Sequence, residues 1–189
     1  GKANTNWQNE IFRTAFSHDH NVAVSGQVAN WLPYRVSAGY TNQQGIIKTS
    51  NFERFTGALT LSPSFLNDHL KVTLNAKGMW TKNRYADGEA IKAARQFDPT
   101  QPVYASGYDN FAGYYQWLDD GTAINDRDCQ KTYYSLATKN PMSILNRKSD
   151  RAISGDFLGN ADVDYKVHGF EDLRFRVTAC VDVAKGRQV

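Results

Sequence analysis

The chain has 189 residues, 41% of them hydrophobic, with 22 basic and 19 acidic side chains for a net charge of +3. That balance excludes the clustered basic stripe of a nucleic-acid-binding protein, and two cysteines, Cys129 and Cys180, are too few for a disulfide framework. No stretch approaches the roughly 18 consecutive apolar residues of a membrane-crossing helix, but a mean hydropathy of −0.58 does not exclude crossing by strands, which hide an apolar face by alternation.

The start, Gly1-Lys2-Ala3-Asn4-Thr5-Asn6, carries neither a charged nor an apolar leader segment, so the sequence is read as an internal piece of a longer chain. Period-two alternation then recurs along it. Val22, Val24, Gly26 and Val28 oppose Asn21, Ala23, Ser25 and Gln27; after Pro33, Tyr34, Val36, Ala38 and Tyr40 oppose Arg35, Ser37, Gly39 and Thr41. Phe55, Gly57, Leu59 and Leu61 follow, then Leu70, Val72, Leu74, Ala76, Gly78 and Trp80, each set interleaved with polar residues. After a long non-alternating stretch come Phe157, Gly159, Ala161, Val163 and Tyr165, and last Leu173, Phe175, Val177, Ala179 and Val181. Successive side chains on a strand leave opposite faces. The predicted strands are therefore 20–28, 34–42, 53–61, 70–81, 156–166 and 172–182, each long enough to cross a bilayer when tilted.

Two hairpins can be registered. Tyr165 opposite Leu173 puts Val163 against Phe175 and Ala161 against Val177. The same register gives the polar pairs Lys166–Asp172, Asp164–Arg174 and Asp162–Arg176. Leu61–Leu70, Leu59–Val72 and Gly57–Leu74 align across the turn 62–69. Links 29–33, 62–69 and 167–171 are short, 42–51 is longer and 82–151 very long. That order suits an up-and-down meander with short turns on one side of a membrane and long loops on the other. Within the long loop, Asp87 caps a helix over about 88–96, and Asn140 caps another beginning at Pro141, with Arg147 and Lys148 at its C-terminal end.

At this point several segments resemble the SusC/RagA family of TonB-linked outer-membrane transporters. They are Phe12-Arg13-Thr14-Ala15-Phe16-Ser17-His18-Asp19-His20-Asn21, Leu32-Pro33-Tyr34-Arg35-Val36-Ser37, Gly39-Tyr40-Thr41-Asn42-Gln43-Gln44-Gly45, Leu61-Ser62-Pro63-Ser64-Phe65, Leu74-Asn75-Ala76-Lys77-Gly78, Asn140-Pro141-Met142 and, most specific, Phe97-Asp98-Pro99-Thr100-Gln101-Pro102-Val103-Tyr104. Residues 108–127 resemble nothing in particular, as expected of a variable substrate-facing loop. The resemblance implies an all-β fold, part of a transmembrane β-barrel in the Gram-negative outer membrane, with 82–151 as an extracellular loop. It also implies import of glycans or peptides, a SusD-like surface lipoprotein as lid, and energy from the TonB complex through parts this sequence does not show.

No catalytic signature accompanies the strands: there is no metal-binding His-Glu-x-x-His, phosphate-cradling glycine loop or Gly-x-Ser-x-Gly elbow, so no enzyme is expected. Tyr104, Tyr114, Tyr115 and Trp117, with Asp119 and Asp120, are the candidate substrate-binding residues, because flat rings suit sugar faces and carboxylates accept from hydroxyls; the same rings also suit a small core within the loop. Asp162, Asp164, Arg174 and Arg176 read as salt bridges facing a barrel lumen, since arginines beside the carboxylates keep them ionised and unfit for acid–base work. The oxygen-rich 119–128 segment is a weak Ca²⁺ candidate without EF-hand spacing. His18 and His20 share a strand face but have no evident third metal ligand. Trp31, Tyr34, Tyr40, Phe55, Trp80 and Tyr165 lie near strand ends, where interfacial aromatic belts occur. The alternative is a soluble β-sandwich that holds carbohydrate on its loops, in which a second sheet covers the apolar face.

Overall fold

The computed structural model describes residues 2–118, 134, 136–170 and 172–188. Its strands are β1 (Ser17–Val28), β2 (Leu32–Gln44), β3 (Asn51–Leu61), β4 (Ser64–Phe65), β5 (Leu70–Tyr85), β6 (Asp150–Lys166) and β7 (Arg174–Gln188). All seven form one antiparallel sheet in the order β1-β2-β3-β5-β6-β7, with β4 paired to β5 alone. Three short helices accompany them: α1 (Trp7–Ile11), α2 (Glu89–Gln96) and α3 (Pro141–Arg147). The chain divides into two compact units. One holds Gly1–Phe16, Gln44–Asn51 and Arg84–Asp150; the other holds Ser17–Gln43, Phe52–Asn83 and Arg151–Val189.

The sheet unit follows its alternation. Cα partners in the β1–β2 hairpin include Val24↔Val36, Val22↔Ala38, Gly26↔Tyr34 and His20↔Tyr40, so the residues of each apolar set meet across the ladder. The Tyr34 ring crosses Gly26, whose missing Cβ would sit 2.8 Å from the Tyr34 hydroxyl. No second sheet covers this face among the described residues. Val22 is 66% exposed, Val177 65% and Phe157 48%. A sandwich would have buried these side chains, so their exposure does not favour the β-sandwich alternative.

Aromatic rings mark both ends of the same face. Tyr40, Phe55 and Trp80 form a row with ring centroids 4.5 and 5.7 Å apart; at the other end Trp31 and Phe65 lie 5.4 Å apart. Phe65 is opposite Leu70, and ten residues of β5 separate Leu70 from Trp80. At a rise of roughly 3.4 Å per residue that is roughly 34 Å of strand. A tilt of about 35–45° shortens it to roughly 25 Å, the height of the apolar band on a transmembrane barrel.

Both predicted registers are off by an even number. Tyr165 pairs with Phe175, Val163 with Val177 and Asp164 with Arg176, two residues from the predicted partners. The cause is the turn. Val167 donates to Leu173 and Leu173 to Phe170 around Gly169, at φ +81°, so the link closes over 167–173 and not 167–171. The predicted Leu61–Leu70 pair fails likewise. The ladder continues through β4, and the chain reverses over Leu66, Asn67 and Asp68, all at positive φ. Even shifts leave every side chain on its predicted face.

The predicted connections also change. β5 runs to Tyr85 and β6 starts at Asp150, which shortens the long loop to 86–149. The 45–50 link has six residues, no more than the seven of 167–173, so the expected alternation of lengths rests on the long loop alone.

Register is the testable feature. In a background with Cys180→Ser and Cys129→Ser, the pair Val163→Cys/Val177→Cys should oxidise to a disulfide, because facing Cα atoms about 4.5–5.5 Å apart suit that bond. Val163→Cys/Phe175→Cys should remain reduced; crosslinking of the second pair alone would overturn the observed register.

Candidate functional site

The second unit has its own core of Trp7, Ile11, Ala90, Ala94, Phe97, Tyr114, Met142 and Leu145. Helix α1 is absent from the predicted elements, because five residues are too few to show a helical period. Its Asn6 cap accepts from Asn9 N, and it buries Trp7 and Ile11. Alanines 90, 93 and 94 of α2 are buried; small side chains there let the three helices touch one another. The Asp98-Pro99-Thr100-Gln101 segment receives the N-terminal strand of chain. Ala3 N donates to Thr100 O, Thr5 N to Pro99 O, Thr5 Oγ1 to Gln101 O and Trp7 Nε1 to Asp98 O. The family-like motif is therefore a docking edge for the chain's own first residues.

Asn140 joins the loop together. Its Oδ1 accepts from Met142 N and Ser143 N as the α3 cap, its Nδ2 donates to Val103 O and Tyr115 O, and its own N–H donates to Gln116 Oε1. It is fully buried. The N-cap of α2 is Gly88 and not the expected Asp87; the Asp87 carboxylate, one residue earlier, accepts from Glu89 N at 2.9 Å and also receives Lys148 Nζ at 2.8 Å. The end of α3 is thus tied to the start of α2. The Lys148 ammonium, then the Glu89 N–H, hold the Asp87 carboxyl below its ordinary value, and Asp87 raises Lys148 in turn.

The candidate aromatics divide between packing and display. Tyr114 is buried, its hydroxyl accepting from Asn146 Nδ2 at 2.7 Å and Tyr104 Oη at 3.4 Å. Tyr115 packs edge-on to Phe97 and Trp117. Tyr104, 57% exposed, and Trp117, 37% exposed, present ring surface to solvent. Asp119, Asp120 and the 119–128 Ca²⁺ candidate lie outside the described residues, as does Cys129; Cys180 is an exposed thiol on β7.

A cleft of about 670 Å³ is lined by Asp87, Glu89, Phe111, Gln116, Lys139, Ser143, Ile144, Arg147 and Lys148, with none of the four candidate rings in its wall. Sequence reading registered Asp87, Glu89, Arg147 and Lys148 only as charges at helix ends. It had no signal that Asp87 and Lys148, 61 residues apart, converge on one cleft.

In the sheet unit, Arg176 Nε lies 3.0 Å from both Asp162 carboxylate oxygens, and Arg174 Nε lies 3.8 Å from Asp164 Oδ1. Two of the three predicted pairs therefore form, but diagonally: the Cα partners are Asp162↔Thr178 and Asp164↔Arg176, while Lys166 stands opposite Arg174 and not Asp172. Long arginines span a diagonal of about 7 Å. His18 and His20 stack 5.1 Å apart beside Tyr40, and no group of three metal-binding side chains occurs among the described residues.

Asn140→Ala should destabilise the loop unit by about 2–4 kcal/mol, combining a lost N-cap with buried carbonyls left unpaired. Faster proteolysis of 86–149 would show it, and unchanged protection would refute the role. The Asp87–Lys148 link should contribute above the unfolded carboxylate value of about 3.9 and fade as pH falls through the lower folded value. It should fade again as pH rises through the raised Lys148 value, above about 10.4. Amide exchange at Glu89 should accelerate below about pH 4, and Asp87→Asn should flatten that response; an unaltered acid profile in the variant would count against the link.

No family model matches the chain. Curated relatives do. The TonB-dependent receptor SusC of Bacteroides thetaiotaomicron is 49% identical over 191 residues, covering 100% of this chain. TonB-dependent receptor P3 of Formosa agariphila is 32% identical over 79% of the chain. Solved structures of the RagAB peptide importer in its closed-closed and open-open states match with TM-scores of 0.62 and 0.54, at 22% and 23% identity over 98% and 97% of the chain. The chain spans only 19% of SusC and 14% of P3. With half its residues shared with SusC along its whole length, the chain belongs to the TonB-dependent receptor family, in its SusC/RagA branch.

Proposed function

We propose that this chain is a stretch of barrel wall, with one surface loop, from an outer-membrane transporter that imports oligosaccharides or peptides. The carrying observation is the uncovered apolar face bounded by two aromatic rows. Such a face is costly in water and favourable against hydrocarbon, and the Trp31–Phe65 and Tyr40–Phe55–Trp80 rows stand where interfacial belts belong.

In this reading the turns at 29–31, 62–69 and 167–173 are periplasmic and the 86–149 loop is extracellular. The Asp162–Arg176 and Asp164–Arg174 pairs face the lumen, where ionised groups remain hydrated. Exposed Tyr104 and Trp117 offer flat apolar surface to a sugar face or a peptide side chain. The loop's cleft, with Asp87 and Glu89 against Lys139, Arg147 and Lys148, offers both signs of charge, as a zwitterionic or peptide ligand requires. A SusD-like lipoprotein as lid and the TonB complex as energy source follow from the kinship with SusC. The chain is assigned no catalytic step and no metal.

The orientation can be tested in the full-length receptor on intact cells. A single cysteine at Lys92 in α2 should react with a membrane-impermeant maleimide, and one at Gly169 should not; the reverse pattern would overturn the assignment. Transport can be tested with labelled oligosaccharide and peptide panels. Tyr104→Ala/Trp117→Ala should cut uptake of the preferred class about tenfold or more, the cost of losing roughly 1.5–3 kcal/mol of aromatic contact. Full uptake would remove these rings from the site.

A further inference from the structure

The apolar face ends in a group of cations. Alternation along β5, β6 and β7 places Lys82, Arg151, Lys185 and Arg187 on the side that carries Trp80, Phe157 and Val183. The ladder brings them close: Lys185 is the Cα partner of Gly155, Arg187 of Ile153 and Val183 of Phe157. Lys82 is one same-face step beyond Trp80, and Arg151 one beyond Ile153. Arg151, Lys185 and Arg187 are exposed and Lys82 is half-buried. Glu53, one step beyond Phe55 on β3, is the acidic residue of this sheet on the same face and end. Asp156 and Asp182 project to the other face. With Arg84, the next same-face residue of β5 after Lys82, five positive charges thus meet one negative charge beyond an aromatic row, where neutral polar side chains would suffice for contact with water.

A furrow begins directly beneath them. Gly57, Gly78 and Gly155 form its floor, with Phe55, Trp80, Phe157 and Val183 as walls, in a volume of about 540 Å³. An added Cβ at Gly57 or Gly78 would meet nothing within 4 Å, so the floor is open and unfilled by neighbours. Past Phe157 a second depression of about 460 Å³ continues along the strands, lined by Leu59, Leu74, Ala76, Gly159, Ala161 and Val181 among others. Small residues make the channel and large ones its banks. Arginine and lysine bind phosphate through charge-assisted hydrogen bonds, and a long apolar channel suits an alkyl chain. The two are adjacent on one face.

We propose that this face seats a phosphorylated membrane lipid, with its phosphate on Lys82, Arg151, Lys185 and Arg187 and an acyl chain in the Gly57–Gly78–Gly155 furrow. The proposal rests on the barrel-wall reading above. With the long loop extracellular, the cations lie at the outer leaflet, and the ligand is a phosphorylated glycolipid of that leaflet. Charge complementarity identifies the headgroup; the furrow separates a lipid from free phosphate, which has no use for it.

The test uses the full-length receptor purified in detergent, with lipid phosphorus per chain measured by mass spectrometry. Phosphorylated lipid A, the same lipid after phosphatase treatment, phosphatidylethanolamine and inorganic phosphate then serve as binding probes. Retention of phosphorylated lipid A, with at least about tenfold weaker binding of the dephosphorylated form, is expected from the loss of charge-assisted bonds. Lys82→Gln/Arg151→Gln/Lys185→Gln/Arg187→Gln should lose it to a similar degree. Gly78→Leu should also lose it with every cation intact, because the side chain fills the furrow. Inorganic phosphate should not compete. Equal retention by either variant, equal binding of the dephosphorylated lipid, or full competition by inorganic phosphate would each overturn the proposal. The maleimide pattern and the uptake assay report on the barrel-wall reading separately, so failure of one is distinguishable from failure of the other.

Discussion

Between its two edges the sheet's backbone N–H and C=O groups are satisfied by neighbour strands, whereas the apolar side chains on one face have nothing to pack against among the described residues. The antiparallel ladder closes the hydrogen bonds within each hairpin and so allows strands into a medium that supplies none. Burial in a protein core does not stabilise Val22, Val24, Phe157, Val177 or Val181, which remain exposed; contact with hydrocarbon does. Aromatic rows at the two ends, the glycine furrow between them and the cations beyond one row all take their meaning from that face. Strands β1 and β7 are the edges of the sheet, and unpaired edges call for further strands, consistent with a chain that matches 19% of SusC.

The loop unit obeys a different logic. Its helices have five to eight residues, too short to persist alone, so tertiary contacts must hold them. Trp7 against Phe97, at 4.7 Å between centroids, ties the N-terminal segment to α2. Asn140 satisfies backbone groups from three stretches of loop that no regular ladder reaches. Around this core the aromatics divide their work: Tyr114 and Tyr115 pack, and Tyr104 and Trp117 are displayed. The same residue type therefore serves stability and surface within a few positions of chain.

The two units also differ in how openly the sequence announces them. Strand identity and face came from a period of two, which is local. Register did not, because Leu66, Asn67 and Asp68 adopt left-handed conformations that residue type alone would not suggest, and Gly169 closes a longer turn than the polar run implied. Errors of two and four residues preserve facing, so the salt-bridge partners Asp162–Arg176 and Asp164–Arg174 were legible although their Cα positions were not. The cleft was not legible at all. Asp87 and Lys148 are 61 residues apart, and nothing in either neighbourhood points to the other.

What the sequence by itself determined is the alternating polarity of the strands, their antiparallel order and the Asn140 cap of α3. These depend on neighbours within a few residues. Tertiary structure decided the ladder register, the union of α1 with α2 and α3, the choice of Tyr104 and Trp117 over Tyr114 as displayed rings, and the meeting of Lys82, Arg151, Lys185 and Arg187 above one furrow. Each depends on which distant segments the packed chain brings within contact range, a property of the whole fold that no local pattern encodes.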